Sequence, residues 1–417
     1  MKTKFFSAAV LVMTVLTTAC SNDDNEASRR SASESSAKTV LVYMAGRNDL
    51  SRAVEPDLSE IKEGSKRLGD NHNLLVFVRR YNDGSQPWLA RIKNGVVTDS
   101  VSLSDMGVTS SDGEQRASDP AVMEGVMRYA FSHYPAANGN YGLVLWSHGT
   151  GWLMGKEVKP APKRASNRAF GVDFGNYYDS NDGRWLNIPT LANVLKQLPH
   201  LKYIMFDCCC MMCLENLYEL RSVADYLIGS PAEIPAQGAP YDKILPDMFG
   251  DGNFYTDIID KYYKSVNEWL PLAAVKTSEM EQVAQATRQA LQAVKAKQDS
   301  TYADMRGLIH YYYTDTKEKF DPQYNIFYDA GDFFLKHAPQ DVYQQWKQAL
   351  DKAVVERRNA TMWSVDKDWN EYYIDFMATD RKQHCVSMFV PQDPAKGDYA
   401  RYNDDIKQFE WYNVWPQ

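Results

Sequence analysis

The sequence has no basic excess and few cysteines for its length. Its 417 residues include 46 Lys and Arg against 54 Asp and Glu, a formal net charge of −8. A general nucleic-acid binder normally carries a basic excess, so that class is excluded and we expect no nucleic-acid partner. Because 44% of the residues are hydrophobic and 24% are charged, disorder and collagen-like repeats are also excluded for most of the chain.

The six cysteines do not form the pattern of a disulfide framework. Four of them, Cys208, Cys209, Cys210 and Cys213, lie within six positions, and neighbours that close cannot link distant loops. A structural zinc site needs four ligands, and the sequence has no second CxxC or paired histidine nearby, so we expect no metal. Cys210 and Cys213 form a CxxC after a predicted strand, so a thioredoxin-type redox pair is an alternative.

The N-terminal apolar stretch, residues 5–16, is too short for a permanent membrane span. Small residues precede Cys20, which resembles the lipobox of bacterial lipoproteins. An acidic run follows, which resembles the surface-export signal of some Gram-negative lipoproteins. We therefore expect a signal peptide over residues 1–20, lipidation of Cys20, a flexible tether over residues 21–38 and a surface-exposed place on the outer membrane. A plain secretory peptide is the alternative.

The chain alternates between strand-length apolar runs and segments with helical spacing, which is typical of an α/β fold. The runs are rich in Val and Leu, as buried parallel strands are. They occupy residues 39–45, 73–78, 141–147 and 201–206. Two further runs, 88–92 and 96–103, are joined across Asn94 and Gly95, a pair that favours the tight turn of an edge hairpin.

Two of the predicted strands end at reactive side chains. Residues 141–147 are followed by His148, and residues 201–206 by Asp207 and the cysteines. Ligands bind at the carboxyl edge of open parallel sheets, so this edge is the candidate site. Met211, Leu214, Leu217 and Tyr218 keep helical spacing, which predicts a helix close to the thiols. A helix N-terminus stabilises a thiolate, so we expect a lowered thiol pKa.

These motifs together resemble those of the clostripain-like cysteine peptidases, which are relatives of the caspases in fold. The resemblance covers most of residues 39–250. It rests on Tyr43-Met44-Ala45 with Asn48-Asp49-Leu50, on Leu145 to Trp152, on Phe206 to Met211 with Glu215 and Tyr218-Glu219-Leu220, on Gly238 to Tyr241, and on Asp329 to Phe333. It implies a caspase-like, mostly parallel sheet flanked by helices.

The resemblance implies acyl transfer by a Cys-His dyad. The family pattern places the nucleophile at Cys209 and the general base at His148, with the backbone amides of Gly149 and Cys209 forming the oxyanion hole. Cys208, Cys210 and Cys213 are then small packing residues, since a free cysteine behaves as a compact hydrophobe.

The resemblance also implies cleavage after basic residues. Asp207 matches the acid that accepts a P1 Arg or Lys, because a carboxylate fits a guanidinium bidentately. A structural carboxylate that caps the neighbouring helix is the alternative. A proline-broken basic loop contains Lys163 and Arg164, which we expect to be a self-cleavage site. A solvated basic loop is the alternative there.

No cofactor is expected to be required. Calcium activates some relatives, but the candidate oxygen ligands here fit no defined calcium loop, so its role as an activator is left open. These candidates are Asp173, Asp179, Asn181 and Asp182. We expect a monomer that acts on protein or peptide substrates with a basic P1 residue and reaches the membrane through its lipid anchor.

Beyond about residue 255 the chain becomes more helical. Residues 279–298 and 340–358 are rich in good helix formers, and residues 384–391 predict one late strand. We therefore divide the folded part into a peptidase domain, 39–255, and a helical C-terminal domain, 256–417. Two other classes of function are kept as alternatives: a catalytically silent surface-binding lipoprotein, and a redox or metal-storage protein that needs Cys210 and Cys213.

Overall fold

The computed structural model describes most of the chain beyond the predicted tether. The described residues are 38–81, 86–155, 157–158, 169–174, 183–298, 300–312, 326–360, 362–364, 372–374 and 383–416. The lipidation site Cys20 and the basic pair Lys163 and Arg164 therefore lie outside the described residues. Within them, no helix is both long enough and apolar enough to cross a membrane.

The strands of the described residues are mostly short. They are β1 (Thr39–Gly46), β2 (Asn73–Arg80), β3 (Trp88–Lys93), β4 (Val96–Ser102), β5 (Tyr141–Trp146), β6 (Phe170–Asp173), β7 (Arg184–Leu186), β8 (Leu201–Asp207), β9 (Ala224–Gly229), β10 (Leu272–Lys276), β11 (Tyr328–Asp329), β12 (Val354–Arg358), β13 (Met362–Ser364), β14 (Tyr372–Ile374) and β15 (Ser387–Met388). Nine of these strands form one central sheet, and the other six form three two-stranded sheets.

The sheet has a parallel centre and antiparallel edges. Its strand order is β12-β10-β9-β8-β5-β1-β2-β3-β4. The five strands from β9 to β2 are parallel, while β3 and β4 on one side and β10 and β12 on the other are antiparallel. All eight residues of β1 are buried, as a central parallel strand requires. The mostly parallel sheet predicted from the sequence is confirmed.

The predicted edge hairpin is also present. β3 and β4 pair antiparallel, and β4 is the last strand of the sheet. Asn94 and Gly95 have φ angles of 47° and 81°, the left-handed values that a two-residue primed turn needs at both positions.

Helices cover both faces of the sheet. They are α1 (Val54–Ser65), α2 (Pro120–His133), α3 (Ile188–Leu195), α4 (Leu214–Glu219), α5 (Tyr241–Met248), α6 (Phe254–Ser265), α7 (Met280–Lys297), α8 (Ala330–His337), α9 (Gln340–Ala353) and α10 (Tyr399–Asp405). Alternate residues of β1 enter two separate apolar cores, because successive strand side chains point to opposite faces. The core with α1, α5 and α6 lies on one face, and the core with α2, α3, α4 and α7 to α10 lies on the other.

The C-terminal part is more helical, as predicted, but it also extends the sheet. β10 and β12 both come from beyond residue 255 and join its edge. The division into two domains at residue 255 stays a prediction, and strands from both sides of it share the sheet. The predicted helix over 340–358 ends at Ala353, where β12 begins, and the predicted late strand is reduced to Ser387–Met388.

The described part of the chain begins at the amino edge of the sheet. The Lys38 ammonium group donates to the carbonyl oxygens of Phe249 and Gly250 at 2.9 Å each, and it lies 2.5 Å from the Asp251 carboxylate. These contacts fix the position at which β1 enters the sheet.

Candidate active site

The two predicted catalytic residues follow neighbouring strands at the same edge of the sheet. β5 and β8 pair in parallel, with Trp146 opposite Asp207. His148 and Cys209 each lie two residues beyond this pair, so the register brings them to the same level. The Ser147 amide donates to the Asp207 carbonyl at 3.4 Å and continues the ladder past the strand ends. The structure therefore brings His148 and Cys209 to one edge of the sheet, as the sequence predicts.

Gly149 packs directly against the backbone of Cys209. A Cβ atom at Gly149 would lie 2.8 Å from the Cys209 carbonyl oxygen, 3.1 Å from its amide nitrogen and 2.9 Å from the Cβ of Cys208. No other residue fits this approach without movement of the backbone. Gly149 thus lies close to the Cys209 amide, and these two residues are the ones predicted to form the oxyanion hole. Their catalytic role stays a prediction.

The His148 backbone is held by the short strand β6. Its carbonyl accepts a hydrogen bond from the Gly171 amide at 3.0 Å, and Gly149 forms an isolated bridge with Phe170. The imidazole is partly exposed, and its Nε2 atom lies 2.6 Å from the Asp49 carboxylate. Asp49 belongs to the sequence motif after the first strand, and the motif alone predicts no role for it.

Asn48 ties three segments together at this edge. It is fully buried, and its side-chain amide donates to the carbonyl of Ala45 at 3.0 Å and to that of Val172 at 2.8 Å. Its carbonyl oxygen accepts from the Leu50 amide at 2.9 Å and begins a short 3-10 helix. Sequence reasoning missed this residue too. A polar residue directly after a buried strand was the available signal.

The Cys209 thiol lies against the loop that follows β9. The sulfur accepts a hydrogen bond from the Ile234 amide at 3.2 Å. Burial raises the pKa of the Cys209 thiol above its usual range, and the nearby Glu233 carboxylate raises it further. The expected lowering by a helix dipole is wrong, because α4 begins only at Leu214, beyond the reach of a first-turn effect on Cys209.

The other three clustered cysteines are buried packing residues. Cys208, Cys210 and Cys213 are all free thiols, exposed by no more than 2%. Burial raises the pKa of each well above the usual value, whereas a redox pair needs an accessible thiolate. In the part of the chain that the structure describes, no three His, Cys, Asp or Glu side chains are grouped to hold a metal ion. The redox alternative therefore loses its support.

Asp207 lies in a buried polar pocket on the face that carries α5 and α6. Its carboxylate accepts hydrogen bonds from the hydroxyls of Tyr241 at 2.7 Å and Tyr262 at 3.2 Å, and from the Ala239 amide at 3.1 Å. It does not cap the helix after the cysteines, because α4 has Cys213 at its N-cap and no side-chain cap bond. Burial raises the pKa of Asp207, and these three donors oppose the shift.

A second buried carboxylate lies near Asp207. Asp57 in α1 is 4% exposed and accepts a hydrogen bond from the indole nitrogen of Trp146 at 2.5 Å. Burial raises the pKa of Asp57 to about 8, and the negative charge of Asp207 adds to this shift. Among the described residues neither carboxyl group forms an ion pair. A cation bound between them would lower both pKa values.

The C-terminal part packs directly on the elements that carry the thiols. The Ser387 amide donates a hydrogen bond to the Met212 carbonyl at 3.0 Å. Gly151, in the turn after His148, has a φ angle of 61°, and a Cβ there would lie 2.5 Å from the ring of Phe327 and 2.7 Å from the Cys210 carbonyl. The site is thus supported by residues far beyond position 255.

Glu215 provides a test of this packing through the pH dependence of stability. Glu215 is fully buried in α4, and its carboxyl group accepts a hydrogen bond from the Phe389 amide at 2.8 Å. Burial raises the pKa of Glu215 to about 7. As pH rises from about 4.5 to 7, the unfolded chain loses this proton while the folded protein keeps it. The free energy of unfolding should therefore fall by about 3 kcal/mol across this window through Glu215 alone.

A Glu215→Gln variant keeps the acceptor oxygen and cannot titrate. Urea denaturation at pH 5 and pH 8 should show a smaller loss of stability for the variant than for the unchanged protein. Equal losses in the two proteins would contradict the burial-driven shift.

Of the four residues considered for calcium, only Asp173 lies among the described residues. Its carboxylate is 3.5 Å from the Arg47 guanidinium group and 3.8 Å from that of Arg116, and it accepts the Ala117 amide at 3.0 Å. These contacts support a structural role for Asp173. Activation by calcium stays a prediction.

The fold is that of the C11 cysteine proteases. The sequence matches the family model described as the clostripain family over residues 42–416, so the chain belongs to the clostripain family. No curated protein matches the sequence.

Solved structures agree with this assignment. A secreted C11 cysteine protease from Bacteroides thetaiotaomicron, bound to an irreversible peptide inhibitor, is 28% identical with a TM-score of 0.70, and the match covers 91% of this chain and 98% of that one. An inactive zymogen C11 protease from Parabacteroides distasonis is 28% identical with a TM-score of 0.69, covering 91% and 98%. The protein is thus a cysteine peptidase that acts on protein or peptide substrates.

Proposed function

We propose that the protein hydrolyses peptide bonds through Cys209 and His148. The observation that carries this proposal is the register of β5 and β8, which brings both residues level beyond the Trp146–Asp207 pair. The raised pKa of Cys209 favours a neutral thiol in the free protein, so His148 must remove its proton as the sulfur attacks the scissile carbonyl.

The two half-reactions then follow in order. The sulfur–carbon bond forms, and the negative oxygen is held by the amides of Gly149 and Cys209. The carbon–nitrogen bond breaks as His148 returns the proton to the leaving amine. Water then attacks the thioester, passes a proton to His148, and releases the acid and the regenerated thiol.

We infer that the S1 pocket accepts Arg or Lys, with Arg preferred. Asp207 lies at the end of β8, two residues before the nucleophile, and Asp57 places a second carboxylate nearby. Two buried acids without a cation among the described residues would gain stability from a guanidinium group, which binds a carboxylate bidentately. A different structural role, in which Asp207 only holds Ala239, Tyr241 and Tyr262 in place, predicts no preference for a basic P1 residue.

We further propose self-processing and a lipid anchor. One similar structure is described as an inactive zymogen, which supports activation by cleavage, and Lys163 and Arg164 offer a site that the proposed specificity accepts. Another is described as secreted, which agrees with export of this chain. Lipidation of Cys20 would then hold the protein on the outer membrane.

The proposed specificity is tested with fluorogenic peptides that end in Arg, Lys, Asp or Phe. A soluble protein that starts at Ser21 should cleave the Arg and Lys peptides only, and an arginyl acyloxymethyl ketone should modify Cys209, as read by peptide mass spectrometry. Turnover of the Asp or Phe peptides would contradict the basic pocket. No turnover and no labelling, in intact and pre-cleaved protein and with or without calcium, would favour a catalytically silent binding protein.

A further inference from the structure

The imidazole of His148 has a charged partner outside the dyad. Its Nε2 atom lies 2.6 Å from a carboxylate oxygen of Asp49, a short hydrogen-bond contact with a charged acceptor. The side chains of His148 and Asp49 are 32% and 57% exposed. Exposed ion pairs contribute little to stability on average, so the contact has functional meaning only if both partners are held in place.

The backbone at Asp49 is held by its neighbour. Asn48 is fully buried and donates to the carbonyl oxygens of Ala45 in β1 and Val172 in β6. Its side chain also accepts the Leu50 amide, and Asp49 is the first residue of the 3-10 helix Asp49–Arg52. Asp49 therefore projects from a fixed position at the end of β1, the strand next to β5.

The backbone at His148 is fixed from the other side. Ser147 donates its hydroxyl to the Ala45 carbonyl at 2.6 Å, and Gly171 donates its amide to the His148 carbonyl. Asn48 and Ser147 thus both bind the carbonyl of Ala45, which couples the end of β1 to the end of β5. These buried contacts hold the backbone positions from which the carboxylate and the imidazole extend.

We propose that Asp49 is a positioning residue for His148. A carboxylate that accepts a hydrogen bond from the Nε2–H group fixes the tautomer in which Nδ1 is free to take up the thiol proton, and it stabilises the imidazolium ion that results. This inference rests on the proposed Cys209–His148 mechanism. It adds a third residue to the site, from the strand next to the one that carries His148.

The chain offers a matched control for the test. His200 and Asp225 form a second partly exposed pair, with Nε2 2.9 Å from the carboxylate, beside the amino ends of β8 and β9 and so at the opposite edge of the sheet. An Asp225→Asn variant removes the same kind of contact without touching the proposed site. Any effect specific to catalysis should be absent from it.

The test compares Asp49→Asn, Asp49→Glu and Asp225→Asn, using the best substrate of the peptide panel. We expect Asp49→Asn to lower kcat about tenfold with little change in KM. Asp49→Glu keeps the charge and should recover part of kcat. Asp225→Asn should behave as the unchanged protein.

The inference would be overturned by an unchanged kcat in Asp49→Asn, by a change confined to KM, or by an equal effect of Asp225→Asn. A lower melting temperature of Asp49→Asn with no recovery of kcat in Asp49→Glu would also overturn it, since a structural role predicts that result. If instead Cys209→Ala or His148→Ala retains full activity, the dyad itself is wrong, and that failure is distinguishable from a failure of the Asp49 inference.

Discussion

Replacing Cys209 with alanine is expected to reduce peptide hydrolysis by about 10⁴-fold or more, because removal of a nucleophile leaves only the residual rate that binding and an oxyanion hole supply. The same loss is expected for His148→Ala, and the double variant should be no worse than either single one, since residues that act as a unit are not additive. Initial rates with an Arg peptide measure all three.

Cys208→Ala is the matched control. Cys208 is the adjacent buried thiol, and alanine keeps the Cβ atom against which Gly149 packs. It should retain activity and melt within a few degrees of the unchanged protein. An inactive Cys208→Ala beside an active Cys209→Ala would reassign the nucleophile. Gel electrophoresis of the same samples tests self-processing, because Cys209→Ala should stay one band while the active protein is cleaved.

Asp207→Asn is expected to lower kcat/KM for Arg and Lys peptides by about 10²- to 10³-fold, since loss of one partner of a buried charge pair costs several kcal/mol. The asparagine oxygen can still accept the Ala239 amide, and the hydroxyl of Tyr241 can turn to accept from the new amide group. The loss should therefore appear in the recognition of the substrate rather than in the fold. Asp57→Asn should reduce the same ratio less, because Asp57 lies on α1 and already binds Trp146.

Thiol alkylation provides the control for Asp207. Iodoacetamide needs no S1 pocket, so its reaction with Cys209 should proceed in Asp207→Asn at close to the normal rate. If Asp207→Asn keeps its preference for basic residues, the carboxylate serves only to hold Tyr241, Tyr262 and Ala239, and the pocket acid lies elsewhere.

The parallel centre of the fold could be predicted because its signals are local. β1 and β2 are continuous apolar runs, and the edge hairpin is marked by Asn94 and Gly95. The C-terminal edge could not be predicted in the same way. Residues 354–358 end in three consecutive charged residues, Glu356, Arg357 and Arg358, which are good helix formers. They nevertheless form β12, because pairing with β10 decides the structure of an edge strand.

The late segment shows the same limit. Residues 384–391 are mostly apolar and contain residues that are common in strands, but only Ser387–Met388 forms a strand. The His384 amide binds the Asp329 carboxylate at 2.7 Å, and the Phe389 amide binds Glu215, so side chains replace the ladder on either side. Partners distant in sequence supply these bonds, and periodicity contains no information about them.

Part of the candidate site could be predicted from the sequence and part could not. The motifs predict His148 and Cys209 as the catalytic residues, and the neighbouring strands β5 and β8 bring both to the same edge of the sheet. The role of Asp49 depends on how β1 lies beside β5, which a single sequence does not reveal. The prediction of a dipole-activated thiol was wrong because the helical spacing included Met211, whereas the helix begins three residues later.

Lys38 precedes β1 at the amino edge of the sheet. β1 runs from that point through eight residues, about 25 Å, to the edge where Asn48 and His148 lie. A bilayer or a bead attached upstream of Lys38 would therefore be joined to the protein at the edge opposite to His148 and Cys209. The point of attachment would lie away from the proposed active site.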